Sequence, residues 1–110
     1  MKELLDNATE FLMSGEENLN KNRYNAAASD YFKAIVILCD YLIYREIKLL
    51  PKNHTERFSL LKNHFRDIYI KVTGLFKLYT DSYNIKLKKE DVIKIKDYAN
   101  EIKNYISNKK

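Results

Sequence analysis

The chain has 110 residues, of which 45% are hydrophobic and 32% are charged, and it contains only two glycines and one proline. This length corresponds to one domain over residues 1–110, and the hydrophobic fraction excludes a disordered chain because it is sufficient for a core. Sheet proteins of this size need more turn-forming residues, so the composition favours a few long helices.

The sequence has no pattern typical of a membrane span or a secretion signal. The longest strongly apolar run, residues 34–39, is far shorter than the roughly 20 residues that span a bilayer. Glu3 makes the N-terminus acidic, and no apolar signal core follows it. The single cysteine, Cys39, cannot form an internal disulfide, and its apolar neighbours indicate a small core residue. We therefore expect a cytoplasmic protein without membrane contact.

Charge is distributed unevenly along the chain. Residues 1–44 contain four basic and seven acidic residues, a net charge of −3, whereas residues 45–110 contain sixteen and eight, a net charge of +8. A basic half can attract nucleic acid through its phosphates, and it is equally compatible with an ordinary lysine-rich surface. Lys86, Lys88 and Lys89 crowd one short connection, and they are the candidate nucleic-acid-binding residues.

The first two predicted helices follow from apolar residues spaced three and four apart. One covers residues 2–20, and the other runs from residue 26 to residue 49, with Asn25 as its N-cap. Pro51 ends the second helix, because the residue before a proline avoids helical dihedral angles. Apolar residues cover more than half of its circumference, which predicts the most buried helix, with Asp40 on a narrow polar stripe.

The third predicted helix is capped by Thr55 and continues without a break to about Tyr83. Its predicted core positions alternate three and four residues apart, as in a bundle helix: Phe58, Leu61, Phe65, Ile68, Val72, Leu75 and Tyr79. The two glycines, Gly15 in the first helix and Gly74 in the third, each cost about 1 kcal/mol relative to alanine. We interpret both glycines as points where a neighbouring helix packs closely.

The last predicted helix covers residues 90–106. Its predicted core positions also follow the three-four spacing: Val92, Ile95, Ala99, Ile102 and Ile106. Short links between long helices make sequential neighbours antiparallel. The predicted fold class is therefore all-α, an antiparallel up-and-down four-helix bundle.

The sequence contains no self-sufficient catalytic or metal-binding motif. His54 and His64 are ten residues apart, which does not match the spacing of a zinc-binding pair on one helix. There is no glycine-rich phosphate loop and no serine or cysteine in a nucleophile setting. We expect no metal and no cofactor.

A family resemblance gives the chain a functional context. Residues 22–35, Asn-Arg-Tyr-Asn-Ala-Ala-Ala-Ser-Asp-Tyr-Phe-Lys-Ala-Ile, resemble the start of the second helix in the HEPN superfamily. Residues 51–57 resemble the linker before helix 3 of that family, residues 78–84 its end, and residues 89–106 the closing helix. Together these segments extend the resemblance over roughly residues 10–106. Their order and spacing, rather than any one segment, carry it.

A second resemblance is more local. The spacing of Tyr24, Ala27, Tyr31 and Ala34 is similar to one tetratricopeptide repeat and to the microtubule-interacting-and-transport domain. A repeat array needs at least three copies at a regular period, and one copy is visible here. We therefore give the HEPN resemblance precedence.

The HEPN resemblance implies a four-helix bundle that forms a homodimer. Many members are ribonucleases, often toxins paired with a small nucleotidyltransferase antitoxin, so a nucleotidyltransferase is an implied partner. Their chemistry uses an arginine followed, after four to six residues, by a histidine near the junction of the last two core helices. The arginine binds phosphate and the histidine assists attack by the ribose 2′-hydroxyl.

This chain departs from the family at that motif. Residues 78–84 contain neither arginine nor histidine, whereas Arg57 and His64 have the required spacing at the start of helix 3 instead. We therefore predict a non-catalytic HEPN-like module that binds nucleic acid, a nucleotide or a partner protein. The alternatives are a metal-independent toxin-type ribonuclease that uses Arg57 and His64 as catalytic residues, and a structural partner of a nucleotidyltransferase.

Overall fold

The computed structural model describes residues 1–108 and contains five helices in that range. They are α1 (Lys2–Asn20), α2 (Tyr24–Ile47), α3 (His54–His64), α4 (Arg66–Asp81) and α5 (Lys89–Asn108). The predicted all-α class is confirmed, whereas the predicted four-helix bundle is not confirmed, because five helices are found in this range. Over these residues no helix has the length and apolar character that crossing a membrane requires.

The fifth helix arises because the predicted third helix is broken at Phe65. Phe65 has φ −140° and ψ 62°, and it both ends α3 and begins α4. An unbroken helix over residues 54–81 would be about 42 Å long at 1.5 Å per residue. The longest dimension of the molecule is 38 Å. The break lets both pieces pack within the length of their neighbours.

α2 is the central helix and contacts each of the other four. Most of its apolar side chains are buried: Ala27, Ala28, Tyr31, Phe32, Ala34, Ile35, Leu38, Cys39, Leu42 and Ile43. The surrounding helices of the same chain therefore account for the wide apolar surface of α2. A second subunit is not needed to cover it, and the homodimer remains a prediction from the family resemblance.

The predicted core positions of the other helices are buried to different extents. In α5 every predicted core position is buried: Val92, Ile95, Ala99, Ile102 and Ile106. α3 and α4 fully bury Leu61, Val72 and Leu75. The remaining positions are partly buried against the same core: Phe58, Phe65, Ile68 and Tyr79. The break between α3 and α4 explains this difference, because each short helix turns only part of the predicted row inward.

Several predicted helix boundaries are shifted, two of them for a clear local reason. α2 ends at Ile47, short of the predicted end at residue 49, because Lys48 adopts a left-handed conformation with φ 66°. α3 is capped by Asn53 rather than by Thr55, since the Asn53 side chain accepts a hydrogen bond from the Glu56 N–H. Asparagine suits this position for the same reason as threonine, namely a side-chain oxygen aimed at free helix N–H groups.

The two glycines have opposite surroundings. A Cβ atom added at Gly15 would lie 3.0 Å from the ring of Tyr31, so the missing side chain lets α1 and α2 pack closely, as predicted. At Gly74 nothing lies within 4 Å of the same added atom. The predicted close crossing at Gly74 is therefore wrong.

Candidate functional site

The connection between α4 and α5, residues 82–88, is held in place by one side chain. Asn25 Nδ2 donates hydrogen bonds to the carbonyl oxygens of Ser82 and Ile85, at 2.8 and 2.7 Å. Asn25 Oδ1 accepts a third from the Leu87 N–H at 2.9 Å. A carboxamide offers donors and an acceptor together, which this loop requires. We refer to residues 82–88 as the α4–α5 loop, and it is ordered against the start of α2.

The role of Asn25 differs from the predicted N-cap. α2 begins at Tyr24 with Arg23 at the N-cap position, so Asn25 lies inside the first turn. Its partners lie 57 to 62 residues further along the chain. The sequence signalled a polar residue near a helix end, but it could not identify partners so distant.

The three lysines predicted to bind nucleic acid lie on the α4–α5 loop and at the first residue of α5. Lys86, Lys88 and Lys89 are exposed, and over residues 1–108 their ammonium groups have no hydrogen-bond or ion-pair partner. Two neighbouring carboxylates are already engaged, Asp81 with a lysine of α4 at 3.1 Å and Asp91 with the backbone N–H of Lys88 at 3.0 Å. The three positive charges are therefore available to a ligand.

Exposed apolar side chains accompany these charges. Tyr83 is 71% exposed and Ile85 is 56% exposed. The Tyr83 hydroxyl lies 2.8 Å from the hydroxyl of Tyr79, and the two rings meet edge to face with centroids 5.5 Å apart. The hydrogen bond with Tyr83, followed by burial, raises the pKa of Tyr79 to about 12, so its hydroxyl stays protonated. An exposed ring beside free ammonium groups is the combination that binds single-stranded nucleic acid.

A row of aromatic rings continues from Tyr83 into the molecule. The ring of Tyr79 stacks on that of Phe32, with centroids 4.8 Å apart. Phe76 contacts the Tyr79 ring at 6.0 Å and the Phe32 ring at 5.7 Å. The ring of His54 follows, 5.6 Å from that of Phe76. The row joins the α4–α5 loop to the N-terminus of α3.

A pocket of about 420 Å³ opens beside this row. We refer to it as the His54 pocket, and its lining residues come from α2, α4 and the start of α3: Phe32, Lys33, Val36, Asn53, His54, Arg57 and Tyr79. The pocket is open to solvent and smaller than three other grooves, of about 570, 590 and 620 Å³, so its lining rather than its volume singles it out. The mixture of ring faces and polar groups in the lining is typical of small-ligand sites.

Arg57, one of the two candidate catalytic residues, is engaged by a buried carboxylate. Its Nε–H and Nη2–H donate to Asp40 Oδ1 and Oδ2, at 2.7 and 2.9 Å. The two residues are only 9% and 8% exposed. This bidentate pairing fixes the guanidinium and neutralises its charge locally. Arg57 therefore connects α3 to α2 and forms part of the pocket wall.

His54 completes this cluster. Arg57 Nη1 lies 2.8 Å from His54 Nδ1. His54 is exposed as a whole, but partial burial of its ring, followed by the charge of Arg57, lowers its pKa. A neutral imidazole beside a guanidinium accepts at Nδ1, and we assign its proton to Nε2 on that geometry. Nε2–H is therefore a hydrogen-bond donor for the pocket.

His64, the other candidate catalytic residue, lies away from this cluster. It is exposed at the end of α3 and lines a separate groove of about 570 Å³ with Phe65 and Tyr98. The structure brings Arg57 together with His54, three residues earlier, and places His64 at a different pocket. Residues three apart share a helix face, so the sequence contained a signal for the His54 pairing.

Asp40 is a site residue that the sequence prediction misplaced. It was assigned to the exposed polar stripe of α2, and it is buried against Arg57. Buried aspartates are almost always paired, and Asp40 follows the apolar residues Leu38 and Cys39 directly. That position was a signal for a buried ion pair, although the sequence could not name the partner.

A second polar network links α1, α2 and α5. Glu16 accepts a hydrogen bond from the Tyr31 hydroxyl at 2.8 Å, and its other contact is the Lys96 ammonium group at 3.2 Å. The Tyr31 hydrogen bond and then the one from Lys96 lower the pKa of Glu16, while burial raises that of Tyr31. Glu16 is thus a structural carboxylate, and a charge reversal there would disturb helix packing.

Comparison with known proteins gives no assignment. No family model, curated protein or solved structure matches this chain. Over residues 1–108, no group of three histidine, cysteine, aspartate or glutamate side chains could hold a metal ion. The α4–α5 loop and the His54 pocket are therefore the candidate functional regions.

Proposed function

We propose that this chain is a non-catalytic, HEPN-like helical module that binds nucleic acid through the α4–α5 loop and the start of α5. The observation that carries the proposal is the ordered loop, because Asn25 fixes the backbone from which Tyr83 and the lysines project. A loop that is fixed before binding loses less entropy when a ligand arrives. Lys86, Lys88 and Lys89 then contact phosphates, while Tyr83 stacks on a base.

The proposal includes the architecture of the bundle. We infer an up-and-down bundle of the HEPN type in which α3 and α4 together take the place of one long third helix. The resemblance also implies a homodimer and a nucleotidyltransferase partner. Light scattering at high protein concentration tests the dimer, and co-purification with a nucleotidyltransferase tests the partner.

The non-catalytic part of the proposal is supported by the surroundings of Arg57. A ribonuclease of this superfamily needs an arginine that contacts phosphate. Two of the guanidinium nitrogens of Arg57 donate to Asp40 in the interior, and a third faces His54. Residues 78–84, the expected place of the motif, offer no substitute.

The decisive experiment is a salt titration of binding to a single-stranded RNA. We expect affinity to fall as salt rises, because each phosphate contact releases counterions and contributes a slope of about −0.7 for a single strand. The triple variant Lys86→Glu, Lys88→Glu, Lys89→Glu should lose at least about tenfold in affinity and show a shallower slope.

The matched control is a second triple variant with the same change in net charge. Lys2, Lys62 and Lys103 are exposed and lie on α1, α3 and α5. Reversing these three lysines to glutamate should weaken binding much less. Equal losses in the two variants would mean that net charge, rather than a site, attracts the strand. If RNA does not bind at about 50 mM salt, the proposal is wrong.

A cleavage assay on metal-free protein separates the module from the ribonuclease alternative. We expect the bound RNA to remain intact. Cleavage that is abolished in His64→Ala while binding persists would replace this proposal with a toxin-type ribonuclease. Because His64 is exposed, this substitution leaves the core unchanged.

A further inference from the structure

We propose that the His54 pocket takes one base of a single strand that is bound at the α4–α5 loop. Tyr83, which is exposed on the loop, and Tyr79, which lines the pocket, are then a stacking track that leads the strand into the pocket. This inference rests on the proposed function, because the lysines of the loop and of α5 supply the attraction that brings the strand there. It adds a base-recognition site to a surface that otherwise contacts only phosphate.

Tyr79 connects the loop with the pocket. Its hydroxyl is bonded to that of Tyr83, which is exposed on the loop, and the same tyrosine lines the His54 pocket. The Tyr79 ring cannot turn freely, because it stacks on Phe32 with an interplanar angle of 15°. A strand that stacks on Tyr83 therefore meets a second, fixed tyrosine at the pocket.

The polar groups of the pocket are mainly donors. Asn53 Oδ1 caps α3 by accepting the Glu56 N–H, which leaves the Asn53 amide N–H groups for a ligand. His54 presents its Nε2–H, whereas the ammonium group of Lys33 lies over the ring of Phe11 on α1, 5.6 Å from its centroid. The donors of Asn53 and His54 fit a planar base whose edge carries acceptors.

The pocket lacks a competing acceptor of full charge. Asp40, the carboxylate beside the pocket, already accepts two hydrogen bonds from Arg57. A base that offers mostly N–H donors would find no partner there. The two carbonyl oxygens of uracil can accept hydrogen bonds from these donors, and oligouridylate is therefore the appropriate probe.

The test compares two strands that differ only in their bases. An oligouridylate of about ten nucleotides covers a typical single-strand site, and an abasic ribose-phosphate strand of the same length has the same charge. The wild-type protein should bind oligouridylate at least about tenfold more tightly, because each stacked base adds that much affinity. The chain has nine tyrosines and no tryptophan, so the part of the tyrosine quenching that is lost in Tyr83→Ala reports stacking on this ring.

Three variants test the track and the pocket. Tyr83→Ala removes an exposed ring, and Val36→Phe fills the pocket from α2. Asn53→Asp keeps the cap of α3, since aspartate also accepts from the helix N–H groups, but it replaces the amide donor with a carboxylate. Each variant should lose most of the preference for oligouridylate while still binding the abasic strand. Asn100→Asp, an exposed change on α5, is the charge control for Asn53→Asp.

The outcomes separate this inference from the proposed function. If the abasic strand binds as tightly as oligouridylate, or if all three variants keep the preference, the stacking track is wrong. The proposed function then still stands, provided that the lysine reversals weaken binding. If neither strand binds the wild-type protein, the proposed function and this inference both fail.

Discussion

Arg57 and Asp40 join α3 to α2 through two nearly parallel hydrogen bonds, of 2.7 and 2.9 Å, inside the molecule. α3 has two buried residues, Leu61, which is fully buried, and Arg57, which is 9% exposed. The ion pair therefore contributes a large part of what positions this short helix, and with it His54 and the pocket.

Removing one partner of this pair should be strongly destabilising. In Arg57→Ala the carboxylate of Asp40 is left buried without a counter-charge, and we expect a loss of about 3–5 kcal/mol in the free energy of unfolding. The double variant Arg57→Met, Asp40→Leu should be much closer to the wild type, because no buried charge remains. Urea denaturation of the single and double variants measures both effects.

The exposed pair Lys77–Asp81 serves as the control for the buried one. Its atoms are 3.1 Å apart, but the Lys77 side chain is 79% exposed. Lys77→Ala should cost less than about 1 kcal/mol. If Arg57→Ala costs equally little, the buried pair does not position α3.

Stability should decrease as pH falls below about 6.5, and His54 should be responsible. Burial and Arg57 lower the pKa of His54 from its ordinary value of 6.5, so the unfolded chain takes up this proton at a higher pH than the folded chain. The contribution of neutral His54 to stability is therefore fully present above pH 6.5, and it is lost as the pH falls toward the folded-state pKa. Asp40 opposes the effect only in part, since it is the last and weakest contribution.

Denaturation at several pH values between about 5 and 7 measures this dependence. His54→Gln keeps a side-chain acceptor for Arg57 but cannot titrate, so it should flatten the profile. Glu16 also has a lowered pKa, but its ordinary value is 4.5, and its contribution is lost only below this window. If the dependence disappears in His64→Gln instead, its assignment to His54 is wrong.

Asn25→Ala should loosen the α4–α5 loop. The substitution leaves the carbonyl oxygens of Ser82 and Ile85 and the N–H of Leu87 without their partner, and we expect a cost of about 2 kcal/mol. Amide hydrogen exchange should accelerate in the loop more than in α5. Nucleic-acid binding should also weaken, although no charge has changed.

Asn100→Ala is the matched control for Asn25→Ala. Asn100 is exposed on α5, and the same substitution there should change stability by less than about 0.5 kcal/mol. If Asn25→Ala leaves both loop exchange and binding unchanged, the order of the loop does not come from this side chain.

Leu61 should be the most sensitive apolar position of α3. It is fully buried, so Leu61→Ala should cost about 2–5 kcal/mol in denaturant unfolding. Ile68, which the unbroken helix would have buried, is only partly covered, and Ile68→Ala should cost less than Leu61→Ala. Ile70→Ala, at a position 58% exposed, is the control. Equal losses at Leu61 and Ile68 would contradict the break at Phe65.

The two glycines should respond oppositely to alanine. Gly74→Ala adds a side chain in open space and should stabilise the fold by about 1 kcal/mol through helix propensity. Gly15→Ala places a methyl group 3.0 Å from the Tyr31 ring, whose hydroxyl is held by Glu16, so we expect no gain or a loss. Thermal denaturation of the pair decides this, and a gain at both positions would mean that Tyr31 moves aside easily.

Apolar spacing predicts the parts of this fold in which one helix face meets a continuous core. The spacing in α5 predicted its buried side correctly, and the wide apolar surface of α2 predicted its central position. The break at Phe65 was not predictable in this way, because apolar residues keep the same spacing on both sides of it and no glycine or proline marks it. The break separates α3, which contacts α2 and α4, from α4, which also contacts α5, and such contacts are a tertiary property.

Prediction of the candidate site from the sequence is limited in a similar way, because some of its contacts join residues that are far apart in the chain. The exposure of Lys86, Lys88 and Lys89 followed from their charge and their position between two helices. The anchoring of their loop by Asn25 did not, since its partners lie more than 50 residues away. For His54 and Arg57, helix periodicity provides the signal, whereas the spacing of the family motif indicates His64 instead.

Because Cys39 is buried, the reaction of its thiol can be used to measure how often α2 separates from the other helices. Burial raises the pKa of this thiol to about 12, so in the folded state it is both shielded and un-ionised. An alkylating reagent can react only in molecules whose α2 has momentarily separated from its neighbours. Because the sequence contains one thiol, each labelled molecule records the same event, and the labelling rate counts how often the central helix is uncovered.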